Sequence, residues 1–335
     1  MFGSTKSASH PRWVVAAALG AVALLVLSGC GSTKASGSKE PATKSLKLIS
    51  MVTTGAPFPA SVLAGIQKQG KAEGVSINNM NTKFDTSEEA TAVQNVIAQK
   101  VDGVILMAND GAAATTLVKQ LHDAGIPVLA VHTQVGTGKF DEPDPNLVAF
   151  VTQSEFDAGK QAGQLAAAAL PGGGDIGIVE GSGCCYEAVK DRTDGFKAGA
   201  EAAGANFTVV SKQPGKWTAD DAQAACQNMV QANPGIKLFY AQSDDMAAGC
   251  ASALKKAKST AKVIGVGGSK LGVDDIKAGS IYGTVCYKPE DMGVLAAKTL
   301  IDTLRAGKTK ADSTFITYTT PAITAGNVGD CTPQW

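Results

Sequence analysis

The chain has 335 residues, which is enough for two domains with cores of ordinary size. It carries 30 basic and 30 acidic residues, and its Lys and Arg residues form no block that could neutralise the phosphates of a nucleic acid. We therefore expect no nucleic-acid partner.

The start of the chain predicts a secretion signal. Lys6 and Arg12 precede an uncharged apolar run from Trp13 to Leu27. This run is shorter than the roughly 20 residues that a membrane-spanning helix needs, and no basic cluster follows it. The sequence Leu-Ser-Gly-Cys that ends at Cys30 resembles the bacterial lipobox, in which the peptidase cuts before a cysteine that carries diacylglycerol. We expect lipidation of Cys30; an ordinary secretory signal and an uncleaved anchor are the alternatives.

Residues 30–45 predict a flexible tether behind the signal peptide of residues 1–29. Ser, Thr, Lys, Gly and Ala dominate this stretch, so it can bury too little apolar surface to offset the entropy of ordering it. A flexible coil of this length extends about 20 Å on average. Removal of the signal peptide would leave 28 basic and 30 acidic residues and hence a net charge of −2.

Cysteine usage predicts disulfides. Six cysteines remain besides Cys30, and an even number in an exported protein indicates paired thiols. Cys226 and Cys250 are the preferred pair, since they lie in consecutive predicted helices on either side of one predicted strand. Cys184 and Cys185 are adjacent and would bond to each other only with strain, so each is expected to pair elsewhere or to stay reduced. The connectivity of Cys184, Cys185, Cys286 and Cys331 stays open.

From residue 46 onward, short runs rich in Val and Ile alternate with segments of helical spacing. The run LKLISMVTT precedes a helix with Val62, Leu63, Ile66 and Gly70 on one face, and VSINNMN precedes a helix that opens at Thr86 or Ser87. VDGVILMA, a third helix and GIPVLAVHT follow. The rhythm restarts with LVAFVTQ and a helix over Gln161 to Leu170, and it continues through the runs DIGIVEG, NFTVVSK, IKLFYAQ, KVIGVGG and IYGTVCY.

This alternation predicts an α/β fold with parallel sheets and helices on both faces of each sheet. The restart indicates two doubly wound lobes; one large doubly wound domain is the alternative. Ligands of such sheets bind outside the carboxyl ends of the strands, so two lobes facing each other would enclose a cleft.

Motifs for catalysis or cofactor binding are missing from the sequence. The glycine turns in VEGSGCCYEA and IGVGGSKLG lack the residues that dinucleotide and phosphate loops require. No His-Glu-x-x-His, paired Cys-x-x-Cys or Gly-x-Ser-x-Gly grouping occurs. We expect no cofactor, no metal site and no catalytic residue.

Four stretches in the right order resemble the ribose-binding-protein branch of the periplasmic solute-binding proteins, which serve ABC importers. They are ISMVTTGAPFPASVLAGIQKQGKAEGV, VQNVIAQKVDGVILMANDGAAATTLVKQLHDAGIPVLAVHTQ, DRTDGFKAG and FYAQSDDMAAGCASALKKA. The similarity extends from about Leu46 to Thr320. Repressors of the LacI type share the fold but carry a helix-turn-helix where this chain has its signal.

The resemblance implies a type I periplasmic-binding-protein fold, in which three hinge segments join two lobes that close on a ligand. The hinge segments are expected near Val151–Glu155, Cys286–Pro289 and Tyr318–Pro321. The N-terminal lobe would comprise residues 46–153 plus 288–319, and the C-terminal lobe residues 154–287 plus 320–335.

The resemblance also implies contact positions. The aromatic ones fall on Phe58 and Trp217, which would hold a solute between two rings, although either ring could be ordinary core. The polar ones fall on His132, Thr133, Lys190, Ser243, Asp244, Gly267 and Tyr287. Two carboxylates and two arginines of the family are replaced there, which argues against ribose or glucose and favours a polyol, a less hydroxylated or modified sugar, or a solute with one anionic group.

Several of these positions have simpler interpretations. Asp244 resembles a helix cap, and His132 could be a hydrogen-bonded residue at a strand end. Lys190 could lie on a solvated helix face, and Tyr287 could be buried beside the hinge.

The sequence thus predicts a lipid-anchored, monomeric binding protein without enzymatic activity. It would lie on the outer face of the bacterial cytoplasmic membrane, or in the periplasm, and deliver a small polar solute to the permease and ATPase of an ABC importer. A sensory module for a membrane receptor and a secreted enzyme on the same fold are the alternatives.

Overall fold

The computed structural model describes residues 45–181 and 186–335, which form two α/β lobes with one six-stranded sheet each. The fold class predicted from the sequence is confirmed: the chain forms two lobes rather than one large doubly wound domain. The predicted signal peptide, Cys30 and the adjacent Cys184 and Cys185 lie outside the described residues. Within the described ranges, no helix combines the length and apolar character needed to cross a bilayer.

The first lobe contains an all-parallel sheet. Its strands are β1 (Lys47–Met51), β2 (Ser76–Asn79), β3 (Gly103–Leu106), β4 (Val128–Val131), β5 (Leu147–Gln153) and β11 (Phe315–Tyr318). They are arranged in the order β11-β5-β4-β3-β1-β2. The helices of this lobe are α1 (Pro57–Ala72), α2 (Thr86–Gln99), α3 (Gly111–Asp123) and α9 (Pro289–Arg305).

The second lobe contains a parallel sheet with one antiparallel edge strand. Its strands are β6 (Gly173–Glu180), β7 (Asn206–Pro214), β8 (Leu238–Ala241), β9 (Lys262–Ile264), β10 (Gly283–Val285) and β12 (Ala322–Thr324). The order is β12-β10-β9-β8-β6-β7, and β12 runs antiparallel to β10. The helices are α4 (Glu155–Ala169), α5 (Tyr186–Ala202), α6 (Ala219–Ala232), α7 (Asp244–Ala257) and α8 (Lys270–Ala278), with a short 3₁₀ helix at Val328–Asp330.

Burial and capping explain the element boundaries. Strands β3, β4 and β5 are buried along their whole length, as expected for central strands with helices on both sides. Helix α2 begins at Thr86, where the sequence predicted it, because the Asp85 carboxylate accepts hydrogen bonds from two amides of its first turn. Helix α4 begins at Glu155, six residues before the predicted start at Gln161, because Ser154 caps it there.

The chain passes between the two sheets at three places within the described residues. The first passage joins β5 to α4, the second joins β10 to α9, and the third joins β11 to β12. Each passage is only a few residues long. Its ends lie beside the space between the lobes.

Glycines allow helix pairs in both lobes to pack with their main chains in contact. A Cβ atom at Gly65 of α1 would lie 1.9 Å from the carbonyl oxygen of Glu290 in α9. In the second lobe, a Cβ atom at Gly159 of α4 would lie 2.2 Å from the carbonyl oxygen of Arg192 in α5. Only glycine permits these approaches.

Two disulfides lie within the described part of the second lobe. Cys226 of α6 is bonded to Cys250 of α7, and Cys286 at the end of β10 is bonded to Cys331. The first is the pair preferred from the sequence. The second fixes the segment that follows the 3₁₀ helix to the strand that leads into the second passage between the lobes.

Candidate functional site

A cavity of about 520 Å³ lies between the two lobes and is lined by residues of both. Rings of Phe58, Phe84, Trp217, Tyr287 and Trp335 form much of its wall. Most of the lining residues follow the carboxyl ends of strands, which is where doubly wound sheets bind their ligands. Its polar groups come from a small set of side chains that includes Asn109, His132, Thr133, Arg192, Ser243 and Asp245.

Phe58 is the central ring on the side of the first lobe. It lies in the first turn of α1, and its centroid is 4.7 Å from that of His132 and 5.3 Å from that of Trp335. The Tyr287 ring lies 6.4 Å away in an edge-on arrangement. Four rings from separate parts of the chain therefore meet at this wall, which offers a solute an apolar surface with C–H and π faces.

Arg192 is the buried cation of the site. Only 6% of it is exposed; its Nε donates to Glu155 Oε2 at 2.6 Å, and an Nη1 hydrogen bond of 2.6 Å reaches the carbonyl oxygen of Gln242. The guanidinium carbon lies 5.3 Å from the ring centroid of Trp217 and 5.4 Å from that of Tyr287. The guanidinium is thus held by one carboxylate, one carbonyl and two aromatic faces.

Glu155 is the buried partner of that cation. It is 2% exposed, and Oε1 accepts a 2.6 Å hydrogen bond from Gln153 Nε2. Burial alone would raise its pKa, but the charge of Arg192 and hydrogen bonds from Arg192 and Tyr287 outweigh burial and hold the pKa below its usual value. Glu155 is therefore an ionised carboxylate whose charge is neutralised inside the protein.

His132 presents a neutral ring to the cavity. Gln153 uses its amide nitrogen towards His132 Nδ1, 3.0 Å away, while its amide oxygen accepts a bond of 3.2 Å from the Tyr318 hydroxyl. Nδ1 is then the acceptor, and the imidazole proton is on Nε2. Burial lowers the pKa of His132 to about 4, so the ring is uncharged at neutral pH.

Seven of the nine predicted contact residues line the cavity. They are Phe58, His132, Thr133, Trp217, Ser243, Gly267 and Tyr287. They come from both lobes, and the residues between them in the sequence form the helices and strands that bring them together.

Lys190 lies outside the cavity. Its side chain is 56% exposed, and Nζ forms an ion pair of 2.8 Å with Asp194 one turn further along α5. Arg192 lines the cavity instead. Residues two positions apart lie about 200° apart around a helix, so turning Arg192 towards the cleft turns Lys190 towards solvent.

Asp244 also lies outside the cavity. It is fully buried, and its carboxylate accepts hydrogen bonds from the Ser269 amide at 2.7 Å, the Ser269 hydroxyl at 2.9 Å and the Thr284 hydroxyl. Burial raises its pKa to about 6, although these hydrogen bonds oppose the shift. Ser243, not Asp244, caps α7, and the carboxyl group that lines the cavity belongs to Asp245. Asp244 fixes the loop beneath the cavity.

The functional candidates that escaped the sequence analysis include Arg192, Glu155, Asn109 and Trp335. Arg192 stands in the stretch DRTDGFKAG, two positions after Lys190. This spacing was a usable signal, because two positions along a helix separate a side chain that faces the cavity from one that faces solvent. Glu155 is the last residue of a predicted hinge segment, Val151–Glu155. Trp335 had no signal, because nothing in its local sequence indicates that it returns to the cleft. The described residues contain no group of three or more His, Cys, Asp or Glu side chains that could hold a metal ion.

Comparison with known proteins agrees with the fold. The ribose import binding protein RbsB of Bacillus subtilis is 27% identical over 260 residues, which cover 78% of this chain and 82% of that protein. The fructose import binding protein FruE of Bifidobacterium longum is 26% identical over 287 residues, which cover 83% and 85%. These relatives are binding proteins for import rather than enzymes.

A solved structure shares the architecture. The solute-binding protein of an ABC transporter from Mycobacterium smegmatis, with bound glycerol, superposes with a TM-score of 0.74 at 26% identity, covering 85% of this chain and 96% of that one. A family model described as the periplasmic binding protein domain matches residues 48–309. The resemblance found in the sequence is thereby confirmed, and the chain belongs to the periplasmic binding protein family.

Proposed function

We propose that this chain is the lipid-anchored receptor of an ABC importer, and that it binds a small neutral sugar or polyol by closing its two lobes. The solute would lie in the cavity between the lobes and pass to a membrane permease that is driven by an ATPase. The solute would shift the population from the open to the closed form. The size of this shift is limited by how much more tightly the closed form binds the solute than the open form does.

The cavity carries this proposal. Its 520 Å³ falls within the usual range for small-molecule sites, and its wall comes from both lobes. A solute there would touch the two halves together, so binding would favour the arrangement in which the halves approach each other. The three short passages beside the cavity are the natural place for the required rotation.

The charges of the lining support a neutral solute. Arg192 is already paired with Glu155, and the ring of His132 is uncharged. Lys190, which could have met an anion, is paired with Asp194 on the outer face of α5. An anionic solute would therefore meet the Asp245 carboxyl group without an unpaired cation among the described lining residues.

The balance of rings and polar groups supports a solute with both an apolar face and hydroxyl groups. Aromatic walls bind the C–H faces of sugars, while Asn109, Thr133 and Ser243 offer hydrogen bonds to hydroxyls. Ribose and fructose, which the two relatives bind for import, and glycerol, which is bound in the solved structure, fall in this chemical class.

Lipid anchoring at Cys30 rests on the sequence alone. The lipobox-like stretch and the tether would hold the folded part near the membrane, and two acyl chains bind a bilayer far more firmly than one. Export of wild-type chain and a Cys30→Ser variant in the presence of an alkyne-tagged fatty acid tests this proposal. We expect fatty-acid label on the wild type and none on the variant; an unlabelled wild type would refute the anchor.

A thermal-shift screen tests the solute class. Purified protein is mixed with neutral sugars, polyols and sugar acids; a binder at about a hundred times its dissociation constant adds about 2.7 kcal/mol of stability. We expect a raised melting temperature with at least one neutral compound. The shift should vanish in Phe58→Ala and persist in Phe156→Ala, whose ring is 42% exposed on α4. No shift with any compound would refute carbohydrate binding, and shifts with sugar acids alone would refute the neutral class.

A further inference from the structure

Residues 331–335, which we term the strap, return from the edge of the second lobe to the cleft. Cys331 is 4% exposed and is bonded to the fully buried Cys286, the neighbour of Tyr287 in the second passage between the lobes. The strap therefore starts from a covalently fixed point beside the cavity. Only three residues lie between Cys331 and Trp335.

The strap contacts both lobes. The carbonyl oxygen of Gln334 accepts a hydrogen bond of 2.8 Å from the Ser61 hydroxyl of α1. Its side-chain oxygen accepts bonds of 2.8 and 3.2 Å from the amides of Glu290 and Asp291 in α9. The residue before α9 provides no side-chain cap, so Gln334 supplies the missing acceptor from another part of the chain.

Trp335 completes the strap on the side of the second lobe. Its main-chain oxygen accepts a hydrogen bond of 2.8 Å from the amide of Lys270 at the start of α8. Its ring stands at 88° to that of Phe58 and lines the cavity. A Cβ atom at Gly267 would lie 3.0 Å from Cζ2 of this ring, so the glycine makes room for the indole.

The indole N–H of Trp335 is the unexplained group of this wall. Nε1 is buried and has no hydrogen-bond partner among the described residues. A buried donor without an acceptor is unfavourable, and it is one of only three such side-chain atoms in the described part of the chain. Closure of the lobes on a solute would bring an acceptor oxygen to this nitrogen, which water does not reach in this structure.

We propose that Trp335 is a solute-contacting residue that determines specificity, and that the Cys286–Cys331 disulfide positions it. The indole N–H donates to a hydroxyl or ring oxygen of the solute, while the ring forms one wall of the cavity. This inference rests on the proposed function, because it assigns a contact within that cavity. The disulfide acts through the strap. Without the cross-link, only hydrogen bonds and the packing of the Trp335 ring hold the strap against the lobes.

Tryptophan fluorescence tests the position of the strap without any solute. The chain has three tryptophans, of which Trp13 lies in the predicted signal peptide and Trp217 and Trp335 both line the cavity. In a Trp217→Phe background, acrylamide quenching of the exported protein therefore reports on Trp335. We expect weak quenching that increases several-fold when Cys286→Ala and Cys331→Ala are combined. The matched control combines Cys226→Ala and Cys250→Ala, which removes the other disulfide and should leave the quenching unchanged.

Calorimetric titration tests the contact. D-ribose, D-fructose, glycerol and myo-inositol are titrated into wild-type protein and into Trp335→Phe, which keeps an aromatic ring but lacks the N–H. We expect about a tenfold weaker affinity for each compound that binds, as for loss of one buried hydrogen bond. Tyr282→Phe, which lies outside the cavity, should bind as the wild type does.

The outcomes separate the two proposals. Equal affinities of Trp335→Phe and wild type for a bound compound would overturn the contact while leaving the proposed function intact. Equal quenching with and without the Cys286–Cys331 pair would overturn the role of the disulfide. If none of the four compounds nor any in the thermal-shift screen binds, the proposed function fails and the contact fails with it, whereas quenching still decides where the strap lies.

Discussion

The hydroxyl of Tyr287 donates a 2.6 Å hydrogen bond to Oε2 of Glu155, which joins the second passage between the lobes to the first. The Tyr318 hydroxyl, at the start of the third passage, donates to the amide oxygen of Gln153 and accepts a bond of 3.3 Å from the amide of Lys288. All three passages are therefore tied into one buried hydrogen-bond network. Any rotation of the lobes must take place around this network or break it.

Tyr287→Phe should destabilise the protein by about 1–3 kcal/mol, because the buried Glu155 carboxylate loses a donor without gaining another. Urea unfolding of the purified protein measures the change. Tyr282→Phe is the matched control, since Tyr282 is partly exposed and packs against the Lys262 ammonium. Both residues lie at the amino ends of β9 and β10, whereas Tyr287 follows the carboxyl end of β10. An equal effect of the two substitutions would show that the Tyr287–Glu155 bond contributes nothing specific.

Glu155→Gln should cost about 3–5 kcal/mol of unfolding free energy, because it leaves the Arg192 guanidinium buried without its counter-charge. Combining it with Arg192→Met should recover part of the loss, which also yields a variant that can be purified if the single one does not fold. Asp302→Asn is the control: its pair with Lys298 is about half exposed, so its loss should change stability by less than about 1 kcal/mol. A single variant as stable as wild type would contradict the buried pair.

Glu89 should make the protein less stable as the pH rises from about 4.5 to about 7. Burial raises its pKa from 4.5 to about 7, so within this window the folded protein holds a proton that the unfolded chain releases. Glu89→Gln should therefore exceed the wild type in stability by about 1–3 kcal/mol at pH 8 and by little at pH 5. Urea unfolding at a series of pH values measures this difference.

Glu88→Gln is the control for that series, since its carboxylate is half exposed and paired with Lys83. Its unfolding is measured at the same pH values for comparison. A difference between Glu89→Gln and wild type that stays constant from pH 5 to pH 8 would mean that Glu89 does not titrate in this range.

Solute affinity should be nearly independent of pH between about 5.5 and 8. The His132 pKa of about 4 keeps its ring neutral throughout this range, with Nδ1 as acceptor and Nε2 as donor. Calorimetric titration of a neutral compound found in the screen measures the affinity at each pH. A change that follows a midpoint near 6.5 in wild type and disappears in His132→Gln would show that the ring becomes charged, contrary to this expectation.

The sequence was sufficient for the architecture and for most of the cleft. Apolar runs such as LVAFVTQ, each followed by a helical segment, predicted buried parallel strands, because both faces of a central strand must be apolar. Strand β5 occupies those seven residues. The family resemblance, not a local pattern, placed Phe58, His132 and Trp217, and all three line the cavity beyond the carboxyl ends of strands.

The remaining site residues depend on information that local patterns do not hold. Lys190 and Arg192 differ only in helical phase, and the phase of α5 is set by its packing against α4. Asp244 faces away from the cavity because Ser269 offers two donors to its buried carboxylate and Thr284 of β10 offers a third, and both residues are distant in the sequence. Trp335 reaches the cleft through a disulfide whose pairing the sequence left open.

The touching main chains of α1 with α9 and of α4 with α5 have a mechanical consequence. Because there is no layer of side chains between these helices at Gly65 or Gly159, neither pair can slide without a steric clash. Each half of the molecule should then turn as an inflexible block, with all bending concentrated in three short stretches of backbone. A single angle would then describe the motion of one lobe relative to the other. One distance measured spectroscopically between surface labels on α2 and α6 would suffice to follow it.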